Sequence, residues 1–443
     1  MGRLFGTDGI RGIAGAELTR DLAYDVGRAA VVVLGRHGRA QPTFVVGRDP
    51  RTSGVWLEEA VADGIRGAGG DVLLAGVEPT PAIAFLTTDL EAAAGVVISA
   101  SHNPPEYNGI KLFAANGMKL PDDQEDEIEA ALGGTTDRAV PGAGSVRPLE
   151  EGSERYLEHL QAAAEAGLDG MRVVVDCANG AASGVAPELL RRLGAEVIPI
   201  HAEPDGHNIN DGCGALHPEV VAAEVARLGA DAGVSHDGDA DRALFADATG
   251  AVIDGDQVLA ACALAMRDAG RLTGDVVVAT VMSNLGFLRA MEAAGIEVVQ
   301  ASVGDRYVLE EMERRGAVLG GEQSGHVIFR EHATTGDGLL TAVRFLSLAA
   351  RTSVSVGQLA SAMRRFPQVM VNVEVPDPGA LGGAVAVEEA VEAARQELDG
   401  RGRILVRPSG TEPLVRVMVE AETDDDARRH AETVAGAVRT SLG

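Results

Sequence analysis

The hydrophobic and polar positions of the chain repeat one order three times. An apolar strand ends in a polar loop and a helical stretch follows, with the strands at 42–49, 170–180 and 274–284. A second strand comes next, at 69–79, 193–204 and 294–304. A third short strand then runs into an unusual loop, at 95–104, 232–242 and 317–326. Strands and helices in this order predict βαβ units and mostly parallel sheets.

The three unusual loops are expected at one edge of their sheets. Right-handed crossovers place them at the carboxyl ends of the third strands, which is where open α/β sheets bind ligands. If the loops face a common cleft, each domain contributes a different part of one site.

The pattern changes near residue 367 and predicts a smaller fourth domain. Its α+β composition comes from a strand at 366–377, a helix at 384–398, two strands within 402–422 and a helix at 423–442. We therefore predict three tandem α/β domains with mostly parallel mixed sheets and a C-terminal α+β domain, around a central cleft. The predicted domains are 1–150, 151–255, 256–367 and 368–443. The segment 135–148 is predicted to be a connecting loop.

Composition narrows the function classes. The net charge of −28 disfavours nucleic acid and anionic membrane surfaces as partners, since both need a basic face on the protein. Three widely spaced cysteines favour neither structural disulfides nor a Cys-rich zinc site, and the N-terminal residues lack the apolar core of a signal peptide. The chain is therefore expected to be soluble and cytoplasmic. Its only two lysines are Lys111 and Lys119, and we interpret their scarcity mainly as genome composition.

The loop at 99–113 contains Ser101, which follows a buried strand and precedes the sequence His-Asn-Pro-Pro. A rigid turn at this place predicts that the serine hydroxyl is exposed at the edge of the sheet. An ordinary serine that caps the turn is an equally good interpretation. No G-x-S-x-G segment occurs here, so an α/β-hydrolase nucleophile is not supported.

The loop at 237–242 places Asp237, Asp239 and Asp241 at alternate positions after an apolar strand. Three carboxylates this close repel one another unless a cation lies among them. Hard oxygen ligands favour Mg²⁺, which takes few protein carboxylates together with a phosphate oxygen. A solvated acidic turn is the alternative interpretation. An EF-hand is excluded, because no glutamate follows at the required spacing.

Two further loops favour recognition of a sugar phosphate. Hydrogen-bonding groups on a glycine-rich frame suit sugar hydroxyls, with a plain turn as the alternative; they are Glu322, Gln323, Ser324 and His326. The backbone N–H groups of a Ser-Gly-Thr turn and its flanking arginines suit a phosphate, with an ordinary hairpin turn as the alternative. The residues of this loop are Arg407, Ser409, Gly410, Thr411 and Arg416.

Five segments together resemble the α-D-phosphohexomutases, in the order of that family and over essentially the whole chain. They are FGTDGIRG (5–12), SASHNP (99–104), DGDADR (237–242), GEQSGH (321–326) and RPSGTEP (407–413). One position departs from the family pattern, because Ala240 stands where the metal loop usually has its second glycine. An alanine there predicts ordinary backbone angles.

The resemblance implies a phosphoserine mechanism. Phosphorylated Ser101 would give its phosphoryl group to the sugar, and a sugar 1,6-bisphosphate intermediate would turn over and return its other phosphate. One Mg²⁺ per site would be held by the Ser101 phosphate and the three aspartates. Arg11 and Arg242 are implied near the phosphoserine.

The resemblance also implies a general acid/base. Lys111 matches the family's candidate, and His102 and His326 are further candidates. A lysine needs burial beside cations to lower its pKa enough for this work.

Within the family, Gln323 and the segments 303–310 and 334–342 resemble the branch that interconverts glucosamine 6-phosphate and glucosamine 1-phosphate. This activity would supply UDP-N-acetylglucosamine and cell-wall synthesis. The phosphomannomutase/phosphoglucomutase branch is the nearest alternative, followed by a sugar-phosphate-binding protein without catalysis and a metal-dependent phosphatase. A protein kinase or autophosphorylation would first phosphorylate Ser101. The oligomeric state stays open, with a homodimer as one alternative.

Overall fold

The computed structural model describes residues 4–6, 8–35, 41–132, 144–409 and 412–443. The chain divides into two compact units. The larger consists of Met1–Met282 and Ile296–Ala362, and the smaller of Ser283–Gly295 and Met363–Gly443. In the described ranges, no helix has both the length and the apolar composition that crossing a membrane requires.

The first sheet of the larger unit has helices on both faces. Its strands are β1 (Ile10–Ile13), β2 (Thr43–Arg48), β3 (Asp71–Val77), β4 (Ala94–Ile98), β5 (Tyr107–Ala114) and β6 (Val146–Pro148), in the order β1-β5-β4-β2-β3-β6. Its helices are α1 (Arg20–Leu34), α2 (Thr52–Gly67), α3 (Thr80–Asp89) and α4 (Asp122–Leu132). Along β2, Phe44 and Val46 pack with α1 and α2, whereas Val45 packs with α3. Successive side chains of a strand thus serve two separate apolar layers.

The second sheet follows the same plan. Its strands are β7 (Arg172–Asp176), β8 (Glu196–Ile200), β9 (Ala232–His236), β10 (Ala243–Asp247) and β11 (Val252–Ile253), in the order β11-β10-β9-β7-β8. The helices of this region are α5 (Gly152–Ala162), α6 (Ala182–Arg192) and α7 (Pro218–Leu228). Helix α7 ends at Gly229, whose left-handed φ of 63° suits a residue without a side chain.

The third sheet has four strands, the fewest of these three sheets in the described chain. Its strands are β12 (Val276–Thr280), β13 (Glu297–Ala301), β14 (Leu319–Gly321) and β15 (Val327–Phe329), in the order β13-β12-β14-β15. The helices of this part of the sequence are α8 (Gly255–Asp268), α9 (Leu285–Ala293), α10 (Asp305–Arg315), α11 (Gly338–Thr352) and α12 (Val356–Ala360). Helix α8 begins with a capping box between Asp254 and Gln257.

Each of the three sheets changes strand direction at the predicted loop. The third parallel strand turns into an antiparallel neighbour, β4 into β5, β9 into β10 and β14 into β15. The three unusual loops are these connections, so their predicted place at the carboxyl ends of the third strands is confirmed. The apolar pattern of one strand does not encode its direction, and the antiparallel partners were therefore not predicted individually.

The predicted connecting loop at 135–148 is only partly described. Its last residues were predicted wrongly, because Val146–Pro148 forms β6, in which Val146 pairs with Val72 of β3. A strand of three residues at a sheet edge gives too short an apolar pattern to be recognised. Residues 133–143 lie outside the described part of the chain.

The smaller unit contains an antiparallel sheet covered by two helices. Its strands are β16 (Gln368–Glu374), β17 (Arg403–Pro408) and β18 (Leu414–Glu420), in the order β16-β18-β17, and its helices are α13 (Val385–Leu398) and α14 (Asp424–Leu442). Helix α14 begins at the N-cap Thr423, whose side chain accepts a hydrogen bond from the Asp426 N–H. The predicted fold class, three α/β domains followed by an α+β domain, is confirmed.

Helix α9 belongs to the smaller unit although it lies between β12 and β13 in sequence. The buried Glu420 of β18 accepts hydrogen bonds from the Leu285 N–H and from Arg403 Nε, both at 3.0 Å. Asn284, the N-cap of α9, donates to the Phe366 carbonyl at 2.9 Å. A buried carboxylate at a helix N-terminus is stabilised by the free N–H groups there. The third domain was predicted as one continuous segment, 256–367, so the place of α9 in the smaller unit was not predicted.

Glu78, between β3 and α3, is a buried acid whose effect on the stability of the folded protein depends on pH. Its side chain accepts a hydrogen bond from Ser153, and its second oxygen has no partner among the described residues. Burial raises the pKa of Glu78 to about 7, an effect that the Ser153 hydrogen bond only partly opposes. The folded protein therefore holds this proton up to about pH 7, whereas the unfolded chain releases it near its ordinary value.

We expect Glu78→Gln to stabilise the first domain at pH 8 by about 3 kcal/mol and to change little at pH 5. The contribution of neutral Glu78 is fully present below pH 4.5 and is lost as the pH rises through about 7. Urea unfolding at both pH values, followed by the fluorescence of Trp56 on α2, measures the difference. The exposed Glu59→Gln should be neutral at both. An equal effect of Glu78→Gln at pH 5 and pH 8 would contradict the assignment.

Candidate active site

Ser101 lies at the turn after β4 and contacts the aspartate loop of the second sheet. Its Oγ donates a hydrogen bond to Asp237 Oδ2 at 2.6 Å and lies 3.3 Å from His102 Nδ1. Only 1% of Ser101 is exposed, so the predicted exposed hydroxyl is wrong. The reason is a contact between domains that the local sequence does not encode. A Cβ on Gly238 would lie 2.5 Å from the Ser101 carbonyl oxygen, which shows how closely the two loops approach.

A buried ion pair holds the Ser101 turn from behind. Arg51 Nη2 donates to the Ser101 carbonyl at 2.9 Å and to the Asn103 carbonyl at 2.8 Å. Arg51 Nε donates to Asp49 Oδ2 at 2.9 Å, and neither side chain is exposed. Burial raises the pKa of Asp49, although the charge of Arg51 and a hydrogen bond from Ser99 oppose the rise.

The held turn is a strained one. Ser101 has a φ of 50°, in the left-handed region that costs a residue with a side chain on the order of 1–3 kcal/mol. Besides Arg51, the side-chain amide of Asn210 donates to the Ser101 carbonyl at 2.9 Å. Such conformations persist where the surroundings over-determine them, and here two side-chain donors converge on one carbonyl oxygen.

The three predicted aspartates form a buried cluster. One carboxylate oxygen from each of Asp237, Asp239 and Asp241 lies within 4.8 Å of the others. Burial raises the pKa of Asp237 well above its ordinary value, and the charges of Asp241 and Asp239 raise it further. Asp239 Oδ1 and Asp241 Oδ1 are buried without a hydrogen-bond partner among the described residues. Buried oxygens without donors fit a hard divalent cation, so these residues could hold a metal ion.

Ala240 does not take the ordinary backbone angles predicted for it. Its φ is 57°, so the alanine occupies the left-handed conformation that glycine adopts freely. Its N–H donates to the Asp237 carbonyl at 3.1 Å, and its own carbonyl accepts from the Gly338 N–H at 3.0 Å. These hydrogen bonds preserve the loop shape, and the alternating aspartates still converge.

Lys111 is buried against two carboxylates. Its Nζ lies 2.8 Å from Asp239 Oδ2 and 2.9 Å from Asp8 Oδ2. Burial alone would lower the pKa of Lys111, but the charges of Asp239 and Asp8 outweigh it and raise the pKa. The neighbouring Arg11 lowers the pKa of Lys111, as burial beside cations requires, but the two carboxylates outweigh it, so the expected lowering is not found. In this arrangement Lys111 is a fixed positive charge, able to donate a proton or stabilise negative charge.

The second lysine extends the charge network. Lys119 lies between Asp8 and Asp305 and forms an ion pair with each. His326 Nδ1 is 3.5 Å from Asp241 Oδ2, while its Nε2 accepts a hydrogen bond from the Gly336 N–H at 3.0 Å. Burial alone would lower the pKa of His326, but Asp241 raises it. Asp8, Lys119 and Asp305 were missed as site residues, and the confinement of both lysines to 111–119 was the available signal.

Two arginines near Ser101 and the three aspartates have N–H donors that make no hydrogen bond in the described chain. Arg11 pairs with Asp8 and donates to Asn103 Oδ1 at 3.4 Å. Arg242 donates its backbone N–H to Asp237 Oδ1 at 3.3 Å, and its Nε lies 3.7 Å from Asp241 Oδ1. The Nε atoms of both arginines are buried without a hydrogen-bond acceptor in the described chain. Unpaired guanidinium donors of this kind suit an anion such as a phosphoryl group.

The third predicted loop, at 320–326, is held by hydrogen bonds to residues of the same domain. Glu322 Oε1 accepts a hydrogen bond from the Gly304 N–H at 3.1 Å. Gln323 Nε2 lies 3.4 Å from Asp254 Oδ2, at the N-terminus of α8. Ser324 Oγ is buried and has no hydrogen-bond partner among the described residues. Ser324 is thus unsatisfied by the protein, whereas Glu322 and Gln323 already have protein partners.

In the smaller unit, two arginines face each other across a hairpin. Arg407 of β17 pairs directly with Arg416 of β18, an arrangement that costs energy for like charges. Their Nε atoms are buried without an acceptor in the described chain. Burial lowers the pKa of Arg407, and the neighbouring Arg416 adds to the effect. Ser409 donates its N–H to the Leu414 carbonyl at 2.9 Å, while the predicted ligands Gly410 and Thr411 lie outside the described residues.

Comparison with known families accounts for nearly the whole chain. Four family profiles match, all of the phosphoglucomutase/phosphomannomutase type: alpha/beta/alpha domain I at 2–138, domain II at 154–250, domain III at 254–366 and the C-terminal domain at 370–437. The chain belongs to the phosphoglucomutase/phosphomannomutase family. The four matched regions correspond to the four sheets of the fold.

Individual members of the phosphoglucomutase/phosphomannomutase family agree with this assignment. A phosphoglucosamine mutase of Rhodococcus jostii is 55% identical over 442 residues, 99% of each chain. A family member from Burkholderia thailandensis has a similar structure, with a TM-score of 0.82, 27% identity and coverage of 99% of this chain and 97% of that one. An Aspergillus fumigatus N-acetylphosphoglucosamine mutase, solved with GlcNAc-6P and magnesium, has a TM-score of 0.69, 18% identity and coverage of 99% and 96%, and shares the fold.

Proposed function

We propose that the chain is a phosphoglucosamine mutase that interconverts glucosamine 6-phosphate and glucosamine 1-phosphate. The observation that carries the proposal is the hydrogen bond from Ser101 Oγ to Asp237 within a buried cluster of three aspartates. A hydroxyl in this position would act as a nucleophile beside a bound cation. The 55% identity to a phosphoglucosamine mutase over almost the full chain supports the amino sugar as substrate. The product would feed UDP-N-acetylglucosamine and cell-wall synthesis.

The cation in this proposal is one Mg²⁺ per site. Asp237, Asp239 and Asp241 would hold it together with the phosphate carried by Ser101, because unpaired buried carboxylate oxygens suit a hard cation. When bound, it supplies positive charge that neutralises the transferring phosphoryl group.

In the proposed reaction, the phosphate of Ser101 moves to a free hydroxyl of the sugar phosphate. The bond between phosphorus and Ser101 Oγ breaks as the bond to the sugar oxygen forms, which gives a 1,6-bisphosphate. The intermediate turns over and returns its other phosphate to Ser101 Oγ, so the enzyme ends phosphorylated. Arg11 and Arg242, with their unused Nε donors, would bind the phosphoryl oxygens.

Each transfer also needs a base for the attacking hydroxyl and an acid for the leaving oxygen. Lys111, His102 and His326 are the proposed candidates. His102 lies nearest the serine oxygen, at 3.3 Å, and His326 and Lys111 contact the aspartates. Separate single substitutions, compared by the pH dependence of kcat, would distinguish them.

Substrate recognition is assigned to the two remaining loops. Glu322, Gln323 and Ser324 would bind the sugar hydroxyls, and Ser324 Oγ offers a buried group without a protein partner. The hairpin loop would bind the phosphate that is not reacting, through the residues Arg407, Ser409, Gly410, Thr411 and Arg416. The facing arginines support this, since an anion between them removes their mutual repulsion.

We expect Arg407→Met to raise KM for the sugar phosphate at least about tenfold, because one charge-assisted phosphate contact is worth on the order of 1.5–3 kcal/mol. Steady-state kinetics measure the effect. Arg401→Met, a change in the same unit but outside the hairpin loop, is the matched control and should leave KM unchanged. An unchanged KM in Arg407→Met would contradict the proposal that this loop binds the phosphate.

The deciding experiment compares turnover of glucosamine 6-phosphate, glucose 6-phosphate and mannose 6-phosphate by the purified protein with Mg²⁺. The proposal requires the highest kcat/KM with the amino sugar and formation of the 1-phosphate isomer. Preference for glucose or mannose phosphate would instead identify a phosphomannomutase/phosphoglucomutase. Release of inorganic phosphate without isomer would identify a phosphatase, and binding without turnover a non-catalytic protein.

Two aspects of the cellular setting follow as proposals. The cysteines Cys177, Cys213 and Cys262 are free and buried, which supports a reducing compartment such as the cytoplasm. Initial phosphorylation of Ser101 would come from a protein kinase or from autophosphorylation. Incubation with ATP alone, followed by peptide mass mapping, separates these two sources. Light scattering of the same sample distinguishes a monomer from a homodimer, which is one alternative for the oligomeric state.

A further inference from the structure

A second group of metal-binding side chains lies in the second domain. Asp176 is the last residue of β7, His201 follows the last residue of β8, and Cys213 lies in the connection toward α7. One ligand atom from each lies within 4.8 Å of the other two. Because β7, β8 and β9 are parallel, this group occupies the same sheet edge as the aspartate cluster but contains none of its residues.

Two donors of this group are not satisfied by the protein. Cys213 is a fully buried free thiol with no hydrogen bond to any described residue. His201 Nδ1 is buried and makes no hydrogen bond in the described chain, although it lies 3.2 Å from Asp176 Oδ1. A buried polar atom without a hydrogen bond lowers the stability of the folded protein unless a bound ligand contacts that atom.

The third donor is already oriented. Asp176 Oδ1 accepts a hydrogen bond from the Ala178 N–H at 2.9 Å, and Oδ2 accepts one from the Gly214 N–H at 3.0 Å. Each carboxylate oxygen retains a second lone pair. Backbone donors that fix a carboxylate in this way are typical of the supporting hydrogen bonds around metal ligands.

We propose that Asp176, His201 and Cys213 form a second metal site, which takes Zn²⁺. A thiolate, an imidazole and a carboxylate suit this borderline-soft ion, whereas Mg²⁺ prefers oxygen ligands alone. Tetrahedral coordination at ordinary Zn–N and Zn–O lengths places these two ligand atoms about 3.4 Å apart. The separation of 3.2 Å between His201 Nδ1 and Asp176 Oδ1 is close to that spacing.

The His201 ring lies between the three ligand atoms and a surface depression. An open depression of about 560 Å³ is bounded by His201, Asn179, Glu203 and Asn208, among others. With three protein ligands, the fourth position of a tetrahedral ion is left to a water molecule. No C-x-x-C or H-x₃-H spacing marks this group along the chain, because its members follow separate strands or connections and meet only in the folded domain.

Segments next to the proposed Zn²⁺ ligands are hydrogen-bonded to the candidate active site. The Ala178 carbonyl accepts the Asn210 N–H at 2.9 Å, and the side-chain amide of Asn210 donates to the Ser101 carbonyl. The Ala181 N–H donates to the Gly238 carbonyl at 2.8 Å. An ion that ties Asp176 to Cys213 therefore stabilises the segments that support both reactive loops.

The test is metal binding by the full chain in excess Mg²⁺, which occupies the aspartate cluster. Equilibrium dialysis with Zn²⁺ should give one ion per chain, and Co²⁺ in its place should show a thiolate-to-cobalt charge-transfer band. Cys213→Ser should abolish the band, and His201→Gln should weaken Zn²⁺ binding at least about 100-fold. The His201 ring is partly exposed, so His201→Gln keeps the core intact if Cys213→Ser fails to fold.

Matched controls separate this site from its surroundings. Two control variants should bind Zn²⁺ like the unaltered protein: Cys262→Ser, at a buried thiol on α8, and His217→Gln, at a partly exposed histidine outside the proposed ligand group. Asp237→Asn should also retain the bound Zn²⁺. Loss of Zn²⁺ in Asp237→Asn would assign the ion to the aspartate cluster and overturn the proposal. So would a charge-transfer band that persists in Cys213→Ser, unchanged binding in His201→Gln, or no Zn²⁺ bound by the unaltered protein.

Discussion

Ser101→Ala is expected to lower mutase turnover by at least about 10⁴-fold, which is on the order of what removing a nucleophile costs other enzymes. The loss follows because Ser101 Oγ is the proposed carrier of the phosphoryl group and lies 2.6 Å from Asp237. Without the oxygen, the first transfer has no phosphoryl donor and the second has no acceptor on the enzyme. Isomer formation measured with added 1,6-bisphosphate, together with intact mass of the protein, checks both turnover and phosphorylation.

The contrast with a distant serine makes the result specific. Ser361→Ala removes a hydroxyl that only donates to the Gln358 carbonyl, and it should retain full turnover and the phosphorylated mass. Because the methyl group of alanine fits wherever the serine did, unfolding would not explain the loss in Ser101→Ala. Turnover above about one hundredth of the unaltered rate would show that the phosphoryl group is carried elsewhere.

The sequence predicts the frame of the site well because the frame is a repeat of local patterns. Strands β4, β9 and β14 are short apolar runs, and each ends at a loop with an unusual composition. The carboxyl-edge rule then places Ser101 and Asp237 correctly at their strand ends, with no knowledge of how the domains pack. The same locality explains the wrong exposure of Ser101, since the cover comes from a loop 136 residues away.

The groups that the sequence does not predict share one physical property. Each of these groups contacts a partner that is distant in sequence, and the contact forms only when the fold buries both. Lys119 lies beside Asp305 across 186 residues, and Arg51 supports the Ser101 turn from another connection of the sheet. Ala240 shows the converse case, in which a residue type predicts one conformation and the surrounding hydrogen bonds impose another.

Arg51→Met is expected to destabilise the first domain by about 3–5 kcal/mol, the usual cost of removing one partner from a buried ion pair. Asp49 would remain fully buried without its counterion, and the Ser101 and Asn103 carbonyls would each keep the Asn210 side chain as donor but lose Arg51. Urea unfolding followed by Trp56 fluorescence reports this domain directly, because the only tryptophan of the chain lies on α2, the helix that Arg51 precedes.

Two comparisons separate this ion pair from a general effect of removing an arginine. Arg66→Met breaks an exposed pair with Asp63 on the same helix and should cost less than about 1 kcal/mol. Combining Arg51→Met with Asp49→Asn should recover part of the lost stability, since the second change removes the unpaired buried charge. A double variant no more stable than Arg51→Met would mean that the carbonyl hydrogen bonds, rather than the ion pair, carry the cost. In either case kcat should fall, because the strained Ser101 turn loses one of the two side-chain donors that keep it in place.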